Sequence, residues 1–96
     1  MATNRSGQVT VTTAGTAVRG SDVPGICFEL APHPANTGAT YVGNVSGDVA
    51  STNGFPLGYA SSGLASPSVT VWVGNLNELY FDAAQNGDKV CWLRLK

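Results

Sequence analysis

Ser68-Val69-Thr70-Val71-Trp72-Val73 is the stretch on which the fold class turns: its three valines fall on one face of an extended chain, Thr70 and Trp72 on the other. Alternation of this kind, carried by β-branched and aromatic side chains, marks a half-buried strand and does not fit a helical stripe. The same pattern recurs on both sides of it. Upstream, Ala39-Thr40-Tyr41-Val42 reads as a strand closed by Gly43-Asn44. Before it, Ile26-Cys27-Phe28-Glu29-Leu30 is predicted to turn Ile26, Phe28 and Leu30 inward and Glu29 outward. Gln8-Val9-Thr10-Val11-Thr12-Thr13 puts Val9 and Val11 on one face, and Thr16-Ala-Val18-Arg19 follows as a second strand after the turn at Ala14-Gly15.

The punctuation agrees with short strands. With 12 glycines and 5 prolines, the chain is cut into runs too brief for most helices. Pro24-Gly25 predicts a type II turn, in which Pro presets the first central residue and Gly accepts positive φ at the second. Asn77-Glu78-Leu79-Tyr80-Phe81 and Lys89-Val90-Cys91-Trp92-Leu93-Arg94-Leu95 are predicted strands, joined through Asn86-Gly87 as a hairpin with positive φ. Leu76, Leu79, Tyr80 and Ala83 also fall at helical spacing, but the β-propensity of Tyr80-Phe81 and the turn signal after it favour strand. Tyr41-Val-Gly-Asn-Val45 and Trp72-Val-Gly-Asn-Leu76 echo one another, which we read as shared turn chemistry at two strand ends.

The expectation is an all-β single domain over residues 7–96, a β-sandwich, jelly roll or small barrel of about seven to eight short strands, preceded by an arm at residues 1–6. The weakly patterned segment 45–68, with a short strand near Phe55 to Tyr59, is the expected functional surface, because long loops in compact domains tend to bind.

Composition narrows the function. Charged residues make up 11% of the 96-residue chain, well below the roughly 25% of ordinary soluble domains, so the surface is neutral and polar. Net charge is −1, and Arg5, Arg19, Lys89, Arg94 and Lys96 are scattered. No cationic stripe is available to neutralise a phosphate backbone, so nucleic acid is not an expected partner. Met1 to Gly7 has no apolar leader core and no stretch approaches the length of a spanning helix, so the expectation is synthesis in the cytoplasm and no membrane. So small a domain buries only somewhat over half of the surface its unfolded chain exposes, which favours self-association.

The search for chemistry finds no convergent set. His33, the sole histidine, lies between two prolines, away in sequence from any nucleophile and orienting group. Asp22, Glu29, Asp48, Glu78, Asp82 and Asp88 are dispersed through turns and outward positions, which does not suggest a carboxylate pair across a cleft. Cys27, Cys91 and His33 do not form a zinc set, and a calcium loop through Asp82, Asn86 and Asp88 lacks a closing bidentate Glu. No enzyme, metal or cofactor is expected. Cys27 and Cys91 lie in strand-like runs and are expected as buried free thiols in preference to a disulfide.

One strand is apolar on both faces: Val90 and Trp92 share one, Cys91, Leu93 and Leu95 the other. Either it is buried centrally or one face meets another subunit. Trp92 is read first as core and Trp72 as the better interface anchor; with Arg5, Phe55 and Tyr59 they form the candidate partner-contacting set.

Gly7-Gln-Val-Thr-Val-Thr-Thr-Ala-Gly-Thr-Ala-Val18, Pro34-Ala-Asn-Thr-Gly38, Tyr41-Val-Gly43, Asn53-Gly-Phe-Pro-Leu57 and Asn75-Leu-Asn-Glu-Leu-Tyr-Phe81, in that order, resemble small β-rich virion proteins of tailed bacteriophages. The stretch from Ala60 to Ser68 is looser than the resemblance would suggest. The resemblance implies a structural role in the virion without saying which; taken with the low charge and the two-faced last strand, the expectation is a decoration or cement protein, a homotrimer bound between major capsid protein subunits. Its alternative is a tail or fibre module that binds a receptor or carbohydrate.

Overall fold

The structure, a computed structural model, describes residues 6–44, 54–58 and 68–96. They form β1 (Ser6–Thr10), β2 (Val18–Arg19), β3 (Cys27–Pro32), β4 (Thr40–Gly43), β5 (Phe55–Gly58), β6 (Val69–Trp72), β7 (Tyr80–Ala83) and β8 (Lys89–Arg94). Two four-stranded sheets result, with orders β1-β8-β3-β6 and β2-β7-β4-β5, and every pairing is antiparallel. The fold is all-β, and of the three architectures open in the sequence it is the sandwich.

The core lies between the sheets. The first sheet contributes Val9, Phe28, Leu30, Val90 and Trp92; the second contributes Val42, Leu57, Phe81 and Ala83. Val11, Val23, Leu76 and Leu79 close its ends. Side chains such as Phe28, Leu30 and Phe81, with no exposed surface, each contribute about 1.5–3 kcal/mol by burial. Phe28 and Trp92 meet edge to face, with centroids 6.3 Å apart and planes at 70°, the geometry the ring quadrupoles favour. Gly7 pairs with Trp92 in register, and a Cβ there would lie 2.9 Å from the indole Cζ2. A glycine is therefore needed for the indole to lie against β1.

Loops are fastened by side chains that imitate backbone. Asn36 Nδ2 donates to Lys89 O at 2.7 Å and its Oδ1 accepts from Lys89 N at 2.8 Å, so one amide occupies the place of a strand partner. Buried Asp88 accepts from Thr37 N at 3.1 Å and Gly38 N at 2.9 Å. Buried Asp82 accepts from Gly15 N at 2.9 Å and Ala83 N at 2.8 Å.

Several local expectations are corrected. Gly87 does have positive φ, at 85°, but β7 and β8 belong to different sheets, so the turn crosses the sandwich and does not make a hairpin. Its amide donates to Val11 O at 2.7 Å, anchoring the crossing to the end of β1. Pro24-Gly25 is not a type II turn, because among the described residues only Gly15 and Gly87 have positive φ. Pro24 instead bridges Asn75, and Gly25 N donates to Gly74 O at 3.1 Å, continuing an extended pairing. Glycine is required there by space: a Cβ would come within 2.9 Å of Lys96 O and of Phe28 Cζ.

The same crowding corrects Ile26, which is 60% exposed and not inward. Gly25 and the Arg94 side chain close the space beyond the Phe28 ring, and the Ile26 backbone is held by bonds to Lys96 O and from Val73 N. The helical spacing after Asn75 produces one 3-10 turn, Leu76–Glu78, capped by the Asn75 side chain. It places Leu76 and Leu79 in the core, and the strand begins at Tyr80, later than the sequence suggested.

Two glycines separate steric from conformational cost. A Cβ on Gly20 would run into the backbone oxygen of Leu76, which cannot move aside, whereas Gly15 has open space and φ of 88°. Gly20→Ala is expected to lower unfolding free energy by about 1–3 kcal/mol through overpacking, and Gly15→Ala by about 1–2 kcal/mol through the left-handed backbone alone. Urea unfolding of both variants checks this; wild-type stability for Gly20→Ala would contradict the packing described.

Candidate interaction surface

Because β8 lies between β1 and β3, the question posed by its two apolar faces has a definite answer. Val90 and Trp92 point into the core, and Cys91, Leu93 and Leu95 point to the outer side of the sheet. Register assembles that outer side into rows. Cys27 pairs with Trp72, and Leu95 N donates to Cys27 O at 2.8 Å, so Leu95, Cys27 and Trp72 stand abreast. The next row is Ser6, Leu93, Glu29 and Thr70. Trp72 is 67% exposed, Leu95 49% and Leu93 45%. Ile26, also exposed, lies between Lys96 and Val73 at the same end of the sheet, so four large apolar side chains are exposed around that end.

Glu29 stands beside this patch. Thr70 Oγ1 donates to its Oε1 at 2.7 Å, and hydrogen bonds from Ser68 and Thr70 hold the carboxyl below its ordinary value. The carboxylate contact is therefore in place above the ordinary carboxylate range and is lost as pH falls through the lowered value. With its carboxylate at the surface, it orders the β3–β6 face without contributing much to stability.

A second apolar feature is an open groove of about 380 Å³ where the first sheet's edge strand β6 faces β4 and β5. Val69, Val71, Val42 and Leu79 form its walls, and Phe55, 58% exposed, forms its rim.

The candidate residues divide accordingly. Trp72 and Phe55 are exposed, one on the outer face and one at the groove. Trp92 is 5% exposed and packs in the core, so it is removed from the partner-contacting set. Arg5 and Tyr59 lie outside the described residues, as do most of the arm at 1–6 and residues 45–53 and 59–67 of the long segment. Ile26, Leu93 and Leu95 are additions; the parity of β8 announced the two leucines, but nothing in the local pattern announced Ile26.

Potential chemical groups are engaged locally. His33 Nδ1 accepts from Ala35 N at 3.0 Å. Asp82, Asn86 and Asp88 direct side-chain oxygens at backbone amides of two loops, at Ala14-Gly15 and at Thr37, an arrangement that fastens turns. Among the described residues no three His, Cys, Asp or Glu side chains are grouped to share a cation. Comparison with family models, with curated proteins and with solved structures gives no match.

Cys27 and Cys91 are free. Cys91 pairs with Ala31, four residues from Cys27 along β3, or roughly 13 Å, beyond the roughly 7 Å limit for a disulfide. Burial raises the Cys91 thiol above its ordinary value, against a smaller opposing pull from Lys89. In the native chain Cys91 is expected to alkylate more slowly than a free thiol at neutral pH and to accelerate as pH rises, and Cys27, 3% exposed, to react only on unfolding. Mass spectrometry of timed alkylation reads both; a Cys27–Cys91 disulfide would refute the register.

Proposed function

We propose that this chain is a virion structural protein of a tailed phage, a decoration or cement subunit that stabilises the head by binding between major capsid protein subunits. The observation that carries the reading is the outer sheet corner of Trp72, Ile26, Leu93 and Leu95 on a chain with so little charge. An exposed apolar cluster has a cost in water that is recovered when it is covered, and Trp is the residue type most often found as an interface anchor. The resemblance in turn and strand signatures supports the same reading.

Magnitudes favour a multivalent subunit. The four side chains expose on the order of 400 Å² of apolar surface, roughly 10 kcal/mol at 25 cal/mol per Å². Association itself costs about 4–15 kcal/mol. One corner alone is marginal, so a homo-oligomer that engages several corners at once would be held far more firmly.

A tail or fibre carbohydrate-binding module is the second reading, favoured by one observation: the exposed Trp72 indole lies one row from the hydrogen-bonding pair Glu29 and Thr70.

Co-sedimentation with particles that lack the protein tests the first reading. Trp72→Ala is expected to weaken particle binding by about 30-fold, the hot-spot range, while leaving the unfolding midpoint nearly unchanged. Undiminished occupancy would remove Trp72 as the anchor. Glycan binding that depends on Trp72, with no affinity for particles, would move the assignment to the second reading.

A further inference from the structure

The last described strand of the first sheet, β6, has an open side. Val73 N donates to Ile26 O at 3.1 Å, and alternation in an antiparallel ladder then directs the amides and carbonyls of Val69 and Val71 toward β3. Those of Thr70 and Trp72 point the other way, and among the described residues none bonds to them. Edge strands are ordinarily blunted by lysine, proline or a bulge. Here the chain from Ser68 to Asn77 carries no ionisable side chain and no proline, and the β3–β6 register is unbroken.

From this we infer that β6 pairs with β6 of a second copy, antiparallel and centred on Val71, joining two first sheets into one of eight strands. The register is self-complementary. Thr70 and the partner's Trp72 exchange two backbone hydrogen bonds, Trp72 and the partner's Thr70 exchange two more, and the two Val71 residues meet on the axis as a non-hydrogen-bonded pair. Two copies can meet there without like-charge repulsion, because this segment has no charge. The groove gives the second support. Its walls, Val69 and Val71, belong to the strand being paired, and Phe55 stands at its rim. An added strand continues the sheet over that rim, so the two grooves merge into one covered apolar seam.

The strip covered is at the small end of interface sizes, on the order of 600 Å² per partner, so assembly is expected in the micromolar range. The outer face stays free. Pairing brings the two Trp72 corners side by side, and together they offer on the order of 800 Å², the share each partner contributes to a standard interface. The decoration reading expects a trimer; this edge makes a two-fold dimer.

Light scattering of the full chain across concentration is expected to show mass rising from 9.8 kDa toward twice that value. In a Cys91→Ser background, Val71→Cys is expected to form a covalent dimer on mild oxidation, since Cα atoms of a non-hydrogen-bonded pair are about 4.5 Å apart. Thr70→Cys, two positions out of register with itself, is expected not to. A monomer at every concentration, a three-chain mass, or equal cross-linking at both positions overturns the pairing. The pairing stands apart from the decoration reading: a particle-binding monomer overturns only the former, and a dimer without affinity for particles only the latter.

Discussion

The indole of Trp92 is the constraint around which the first sheet is arranged. It sits on the central strand, under Gly7 of one neighbour and against Phe28 of the other. A larger residue at position 7 would force the ring out, and a smaller one at 92 would leave a cavity beside Phe28. The ring's Nε1 is buried with no hydrogen-bond partner among the described residues, a penalty of about 1–3 kcal/mol that the surrounding apolar contacts must exceed. Trp92 therefore acts here as hydrocarbon, while Trp72, on the edge strand β6, has its ring in solvent.

With only 11% charged residues, the protein relies little on ion pairs, and polar side chains perform the work of order. Asn75, Asp82 and Asp88 each bind backbone amides of a different loop, and Asn36 binds the first residue of β8. Their contribution is positional. They fix where strands begin and thus which side chains fall on the outer face, so the corner of Trp72, Leu93 and Leu95 depends on turns that lie well away from it.

The all-β class, the strand positions and the exposed Trp72 were legible because alternation in Val69 to Val73 and in Lys89 to Leu95 is a local property. Pairing is not local. Asn86-Gly87 specifies positive φ, and the same backbone serves a hairpin or a crossing between sheets; only the partners of β7 and β8 decide. Pro24-Gly25 misled for a related reason: the glycine answers to the approach of Lys96 and Phe28, which are distant in sequence or on the far side of a bend. Ile26 alternates correctly with Phe28 but lies one residue beyond the strand, where that crowding turns it outward. The candidate surface was accordingly half visible, its leucines by parity and its extent only in three dimensions.

The position of β8 also bears on how the chain acquires its structure. Ser6 of β1 pairs with Leu93, and β3 pairs with the same strand through Phe28 to Pro32. Residues 89–94 are made after the other seven strands, yet they separate β1 from β3 in the finished sheet. Nearly every ladder thus joins remote parts of the sequence, a topology that folds slowly because loop closure precedes any gain from contact. Until β8 is available the first sheet cannot close, and β1 and β3 wait with unmet backbone groups. The chain is therefore most exposed to mispairing in the interval before residues 89–94 become available to pair.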